Sequence, residues 1–326
     1  MKFKNILFTL FVMLFLTPSV YAAEYEEVGN IYTTNPVSGK NQVYITNLSN
    51  PEIEIKTTTV TVVDIINNDE GHYKGKSEKV IAVKPGMFIS DTNYNNPYSI
   101  TYKNAGYYIN DNGKKVDVNI VIEAELCEAK YSQGFDRSKY YELATVGPDY
   151  LWIESFELTV GNDGKGKRGT TATIHPGRHD KFNIKITGTD GKALNNNNLS
   201  LQWIFTDLDI KDYTVNPASY TGTYRESIKF TSGFDNKFYV RNGTVLARSD
   251  NNTKYSATEA TGNDKGETNQ QSSDYSGVVG YQTSNSAVIE WWGSNCGTEL
   301  VAVNYAYPTL TNPVKYVDEK YKKRYK

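Results

Sequence analysis

Wherever the chain shows a pattern, apolar and polar residues alternate with a period of two, the spacing of a strand with one face buried and the other wet. Val116, Val118, Ile120 and Ile122 alternate with Asp117, Asn119 and Val121 directly after Asn112-Gly113, a dipeptide that tolerates the positive φ of a tight turn. The spacing predicts a hairpin in which residues 99–109 pair with 115–125. Phe182, Ile184 and Ile186 alternate up to the turn signal Asp190-Gly191, and Leu201, Trp203 and Phe205 resume after the polar run Asn195–Asn198. This predicts a second hairpin with a longer loop. Further strand-like runs lie at 53–65, 79–83, 156–160, 227–230, 238–240, 287–292 and 300–305, and helical spacing is nearly absent. Short strands at this density, punctuated by Gly, Asn, Asp and Pro, predict an all-β fold of the β-sandwich or jelly-roll kind, built as one large or two consecutive sandwiches.

Breaks in the alternation suggest the organisation. Lys2 and Lys4 precede an apolar run, Ile6–Leu16, and a small-residue site ending at Ala22, which reads as a secretory signal peptide over residues 1–22. The run is shorter than the roughly 20 residues of a membrane span, and no second long apolar segment follows, so no membrane span is expected after signal cleavage. Residues 23–130 form one predicted β-sandwich region and 151–310 a second, possibly continuous with the first. The stretch between, punctuated by Gly134 and Gly147-Pro148, reads as a linker or a crossover. Ser249–Gly277, rich in Asn, Thr, Ser, Gly and Gln, reads as a mobile surface loop. Residues 311–326 form a basic tail, with six basic and two acidic side chains from Lys315 onward.

Composition narrows the chemistry. The 326 residues include 26 tyrosines but only three histidines, two cysteines and three methionines, a set poor in metal ligands and in the commonest general base. A formal net charge of -2, or -4 once the two lysines of the leader are gone, offers no overall attraction to nucleic acid. No nucleic-acid partner is expected, although the tail suits wall polyanions. There is no Gly-x-Ser-x-Gly elbow and no phosphate-binding glycine loop. Acid pairs such as Glu154 with Glu157, or Glu226 with Glu290, satisfy only the minimal carboxylate requirement of a glycosidase, which any acidic β-protein meets. The expectation is a protein that is not an enzyme and requires no cofactor.

The remaining candidates concern binding. His175 and His179 flank a Pro-Gly pair and, with Asp180, read as a turn with solvated histidines rather than a zinc site. Asp207 and Asp209, at the end of a predicted strand, are candidate calcium ligands. Cys127 and Cys296 either form a disulfide across a long loop or remain two separate buried thiols. Trp203, between Leu201 and Phe205, belongs to the core. Because neighbouring strand residues face opposite ways, Trp291 and Trp292 cannot both be buried in a core covered on one side. One of them, with nearby Tyr281, Tyr305 or Tyr307, is expected to offer a flat ring to a sugar or to a partner's side chain.

The stretches YKNAGYYINDNGKKVDVNIVIEAEL (102–126), WIFTDLDI (203–210), RESIKFTSGFDNKFYV (225–240) and WWGSNCGTEL (291–300) resemble the β-rich amino-terminal regions of modular surface proteins of Gram-positive bacteria. These are adhesin and fimbrial-type proteins that often continue into isopeptide-forming repeats. The resemblance implies a secreted, cell-surface binding module for an extracellular glycan or a host or matrix protein. It also implies the possibility of a Lys-to-Asn or Lys-to-Asp crosslink between strands. A stalk or scaffold without its own ligand is the alternative, and a secreted carbohydrate-active enzyme a more remote one.

Overall fold

A computed structural model describes residues 22–31, 34–46, 52–65, 78–87, 94–95, 97–130, 136, 138–147, 151–153, 156–172, 177–206, 208, 210–211, 224–258 and 275–293. Among these, strands dominate. The first half supplies β1 (Glu24–Val28), β2 (Asn41–Ile45), β3 (Glu52–Thr57), β4 (Thr61–Ile65), β5 (Glu78–Val83), β6 (Tyr94–Asn95), β7 (Tyr98–Ile109) and β8 (Lys115–Lys130). There follow β9 (Tyr140–Val146), β10 (Leu151–Trp152), β11 (Phe156–Val160), β12 (Lys165–Ala172), β13 (Gly177–Gly188), β14 (Leu199–Phe205), β15 (Ile210–Lys211) and β16 (Tyr224–Arg225). The last are β17 (Ser227–Ser232), β18 (Phe234–Arg241), β19 (Leu246–Ser249), β20 (Lys254–Ala257), β21 (Val278–Gln282) and β22 (Ser286–Gly293).

Fourteen strands form one continuous sheet in the order β1-β18-β21-β14-β2-β7-β8-β13-β22-β17-β20-β19, with β3 added to β7 and β6 to β8. At its centre is the predicted hairpin: β7 and β8 pair from Ile109 opposite Lys115 to Ser99 opposite Glu123. Its turn places Gly113 at φ 72°, where a side chain would be strained. A bulge interrupts β7 between Tyr102 and Gly106, and Asn119 Oδ1 holds it by accepting the Asn104 N–H at 2.9 Å. The bulge lets β7 change partners, pairing with β3 on one side of it and with β2 on the other.

The second predicted hairpin does not form. The turn at Asp190-Gly191 closes, with the Gly188 N–H bonded to the Lys192 carbonyl at 2.9 Å. Beyond it the chain crosses over: β13 pairs with β8 and β22, whereas β14 pairs with β21 and β2. A turn signal fixes local direction, and only the partners' packing decides where the next strand goes. Ser249–Gly277 also differs from a bare loop, because β20 lies within it and buries Tyr255 and Ala257 completely. His179, expected in a turn, is instead a strand residue of β13.

Strands far apart in this sheet touch through their side chains. Phe230 of β17 stacks on Phe238 of β18 at 4.4 Å and meets Phe205 of β14 edge-on at 5.4 Å. The Gln282 side chain of β21 reaches the Ile184 carbonyl of β13 at 3.3 Å and accepts the Trp203 Nε1–H at 2.9 Å. These contacts bury Trp203, Phe205, Phe230, Phe238 and Tyr255 in one core, each such side chain contributing roughly 1.5–3 kcal/mol through burial. The two ends of the sheet also meet. The Arg248 guanidinium of β19 lies 3.8 Å from the centre of the Tyr25 ring of β1, and the Ala23 N–H donates to the Asn251 carbonyl at 2.9 Å.

A second sheet closes on itself. Strands β9, β11, β12, β4 and β5 pair in succession and β5 pairs back with β9, making a five-strand barrel, with β10 added to β9. Val63, Ile65, Val80, Ala82 and Leu158 fill it. A Cβ on Gly166 would lie 2.6 Å from Val63 Cγ1, so the interior has no room for one. Alternation marked β4, β5 and β11 as strands but gave no sign that they close into a barrel, and β9 (Tyr140–Val146) lies inside the stretch that reads as a linker or crossover.

Candidate functional site

Alternation along β13 and β22 sends their odd and even positions to opposite faces. Trp292 stands on the outer face, half-buried, with the His179 ring stacked on it at 4.5 Å and 6° between planes. Lys254 Nζ lies 3.9 Å from the centre of the same indole. His179 comes from β13 and Lys254 from β20, on opposite sides of β22, so the indole stands in a three-layer stack. Glu290 ties it down, its Oε2 lying 3.0 Å from His179 Nε2 and its Oε1 accepting the Thr231 hydroxyl at 3.0 Å. The rest of this face is a grid of opposite charges: Lys103 with Glu52, Lys185 with Glu123, Lys181 with Glu125, and Lys229 with Asp250. Each pair is at least partly exposed and worth at most about 1 kcal/mol.

Directly beneath, the inner face holds a buried ion pair. Arg178 Nη2 and Asp180 Oδ2 are 2.5 Å apart with side chains 2% and 0% exposed. Cys127 sits opposite Asp180 on β8, and Trp291 opposite it on β22, its indole 5.3 Å from the guanidinium. Burial, reinforced by the Asp180 charge, pushes the Cys127 thiol well above its ordinary pKa, and burial does the same to Tyr98. Burial also lifts the Asp180 carboxyl, against the pull of Arg178. For Arg178 burial works to lower the pKa, but the facing Asp180, Tyr98 and Cys127 outweigh it and raise it, keeping the guanidinium charged.

These positions revise the aromatic candidates. Trp291 is 2% exposed and Tyr281 1% exposed, its hydroxyl donating to the Thr34 carbonyl at 2.7 Å. Neither offers a ring to solvent: Trp291 points into the main core, whereas Tyr281 is on the other face of its strand, buried in a separate cluster with Ile31, Ile204 and Val279. Trp292 does face outward, but His179 and Lys254 cover its flat sides, so a sugar would have to displace one of them. Glu226 is buried while Glu290 is on the outer face, and the two do not share a site. Glu157 is bound to Lys139 at 2.9 Å. Cys127 is a buried free cysteine. Asp207, Asp209, Tyr305, Tyr307, Cys296, His175 and Glu154 lie outside the described residues, as do residues 1–21 and the basic tail. Among the described residues no group of three or more His, Cys, Asp or Glu side chains is arranged to hold a metal, and no helix is long and apolar enough to cross a membrane.

One concave feature was missed in the sequence. The β7–β8 turn and the loop after β13 enclose an open cleft of about 630 Å³, lined among others by Tyr108, Asn110, Asn112, Asp190, Leu194 and Asn195. The Asn112-Gly113 and Asp190-Gly191 turn signals marked both walls, but nothing in a linear sequence says that two turns share an end of a sheet.

The comparisons with known proteins are structural. No family model matches the sequence, and no curated protein matches it. The chain is similar to the N-terminal domain of the Streptococcus gordonii adhesin Sgo0707, with a TM-score of 0.57 at 16% identity over 86% of this chain and 64% of that one. It therefore shares the fold of an adhesin domain from a Gram-positive bacterium, while spanning less than two thirds of the neighbour's length. The adhesin domain of PrgB from Enterococcus faecalis, solved alone and bound to DNA, aligns at 11% identity with TM-scores of 0.41 and 0.42. Those alignments cover 87% and 86% of this chain and 92% and 97% of the PrgB chains, and scores that low carry no fold assignment.

Proposed function

We propose that the chain is an adhesin-type binding domain of an exported Gram-positive surface protein, not an enzyme, and that its ligand is a glycan or a host or matrix protein. The observation that carries this reading is the fold shared with the streptococcal adhesin domain over 86% of the chain. The leader-like start at Lys2–Ala22 supports export. The aromatic contacts between β17 and both β14 and β18 support reading the long sheet as a jelly-roll-like sandwich. Pairing of β8 with β13 over twelve positions supports treating 23–130 and 151–310 as one unit. The charge-balanced outer face and the net charge of -2 favour an uncharged or protein ligand over nucleic acid. Calcium at Asp207 and Asp209, and contact of the 311–326 tail with wall polyanions, belong to the same proposal.

The test is binding of the chain from Ala23 onward to a panel of glycans and matrix proteins, with and without a calcium chelator. Saturable binding to one member is expected. A blank across the panel at high protein concentration would contradict the reading and favour a scaffold role. Loss of binding with the chelator assigns calcium to the site, and unchanged binding removes it.

A further inference from the structure

We infer that the cleft between the β7–β8 turn and the loop after β13 is a binding site for a neutral, hydroxyl-rich glycan; this rests on the adhesin reading and names its site and ligand class. The volume, about 630 Å³, falls within the range of small-ligand pockets and suits a short oligosaccharide. Its lining combines the apolar side chains of Tyr108, Val116 and Leu194 with amide and carboxylate groups. That is the chemistry sugars require: an apolar patch for the C–H face of the ring, with donors and acceptors for hydroxyls around it.

The walls are fixed before any ligand arrives. Asn110 Oδ1 accepts the backbone N–H groups of Asn112 and Lys114 at 3.1 and 2.9 Å, which locks the turn and leaves the Asn110 amide nitrogen without a partner among the described residues. Across the cleft, Asp190 Oδ1 accepts the Lys192 N–H at 3.0 Å and Asn196 Oδ1 accepts the Asn198 N–H at 2.7 Å. The Asn285 side chain donates to the Leu194 carbonyl at 3.0 Å, and Asn198 donates to the Gly39 carbonyl at 3.0 Å, so the loop is anchored to two other parts of the fold. Such anchoring spares the ligand the entropy of ordering the loop. Asn112 and Asn195, both exposed, have no side-chain hydrogen bond among the described residues and are available to a ligand.

Charge excludes the obvious competitors. Asp190 is neutralised by Lys192 at 3.1 Å, and Asp111 accepts the Asn41 amide at 3.2 Å, so the cleft has no positive surplus to attract a phosphate or sulfate. The one large hydrophobic side chain exposed among the described residues, Ile109 at 41%, belongs to the same hairpin end, and a single such residue is too little for an apolar protein interface.

The experiment titrates the whole chain, as secreted by an expression host, against neutral galactose-, mannose- and N-acetylglucosamine-terminated oligosaccharides, following backbone chemical shifts. The variants are Asn112→Ala/Asn195→Ala, which removes side chains the fold does not use, Ala193→Trp, which fills the cleft, and Trp292→Ala, which alters the outer face. Shifts confined to 108–116 and 188–196, with affinity at least tenfold weaker in the first two variants and unchanged in Trp292→Ala, are expected. Saturable glycan binding that both cleft variants retain would overturn this site while leaving the adhesin reading intact. Binding of a matrix protein but of no neutral glycan would overturn the ligand class alone, and no binding to any panel member would overturn both.

Discussion

The five-strand barrel encloses Val63, Ile65, Val80, Ala82 and Leu158, whereas the fourteen-strand sheet buries Trp203, Phe205, Phe230 and Phe238 and, beside Cys127 and Trp291, the ion pair Arg178–Asp180. Both leave few free edges, the barrel by closing its hydrogen-bonded ladder and the sheet by bringing β1 and β19 together through side chains. The barrel is narrow enough that a side chain at Gly166 would press on Val63. The large sheet's interior holds aromatic rings and also a buried polar pair. Small cores are fixed by volume, and large ones also by how each buried charge is matched.

The comparison breaks most visibly at Asp180. Asp180→Ala leaves the Arg178 guanidinium buried without its carboxylate and should destabilise the chain by about 3–5 kcal/mol in urea unfolding, with the double change Arg178→Met/Asp180→Leu recovering most of the loss. A loss below about 1 kcal/mol would show that the pair is solvated. Gly166→Val should cost about 1–3 kcal/mol by overpacking the barrel. Hydrogen exchange should then rise in β4 and β12 while β13 keeps its protection, and a uniform rise would mean that barrel and sheet unfold as one.

Alkaline pH should act on the large sheet. Burial raises Tyr98, Tyr255 and Tyr281 above the ordinary 10.0, and Cys127 above 9.0. The folded chain keeps protons that the unfolded chain releases, so this contribution is full below pH 9 and falls away as the pH rises through the folded-state values. Unfolding followed from pH 8 upward should show steadily declining stability, and the Cys127 thiol should resist alkylation at pH 8 until the chain unfolds. The smallest effect belongs to Trp292→Ala, where loss of a half-exposed stack should cost about 1 kcal/mol or less; a cost as large as that of Asp180→Ala would make the outer stack part of the core.

The sequence made the β7–β8 hairpin legible because alternation and an Asn-Gly turn agree over neighbouring residues. It also showed that Trp291 and Trp292 must part, one inward and one outward, since that follows from strand geometry alone. It could not show that His179 and Lys254 flank Trp292, because those residues lie 113 and 38 positions before it and are brought together only by strand order. The same limit hid the barrel, the crossover after β13 and the cleft, each of which depends on which distant strand lies next to which. Only nearness to Trp291 and Trp292 in the chain makes Tyr281 a candidate by sequence, whereas the fold buries it under another segment, its hydroxyl bonded to Thr34.

The most direct test of the account is equilibrium binding of the chain to immobilised neutral glycans and matrix proteins, comparing the parent chain with Asn112→Ala/Asn195→Ala. Saturable binding to a neutral glycan, weakened at least tenfold in the variant, is the predicted result. Absence of saturable binding to every member of the panel would contradict it.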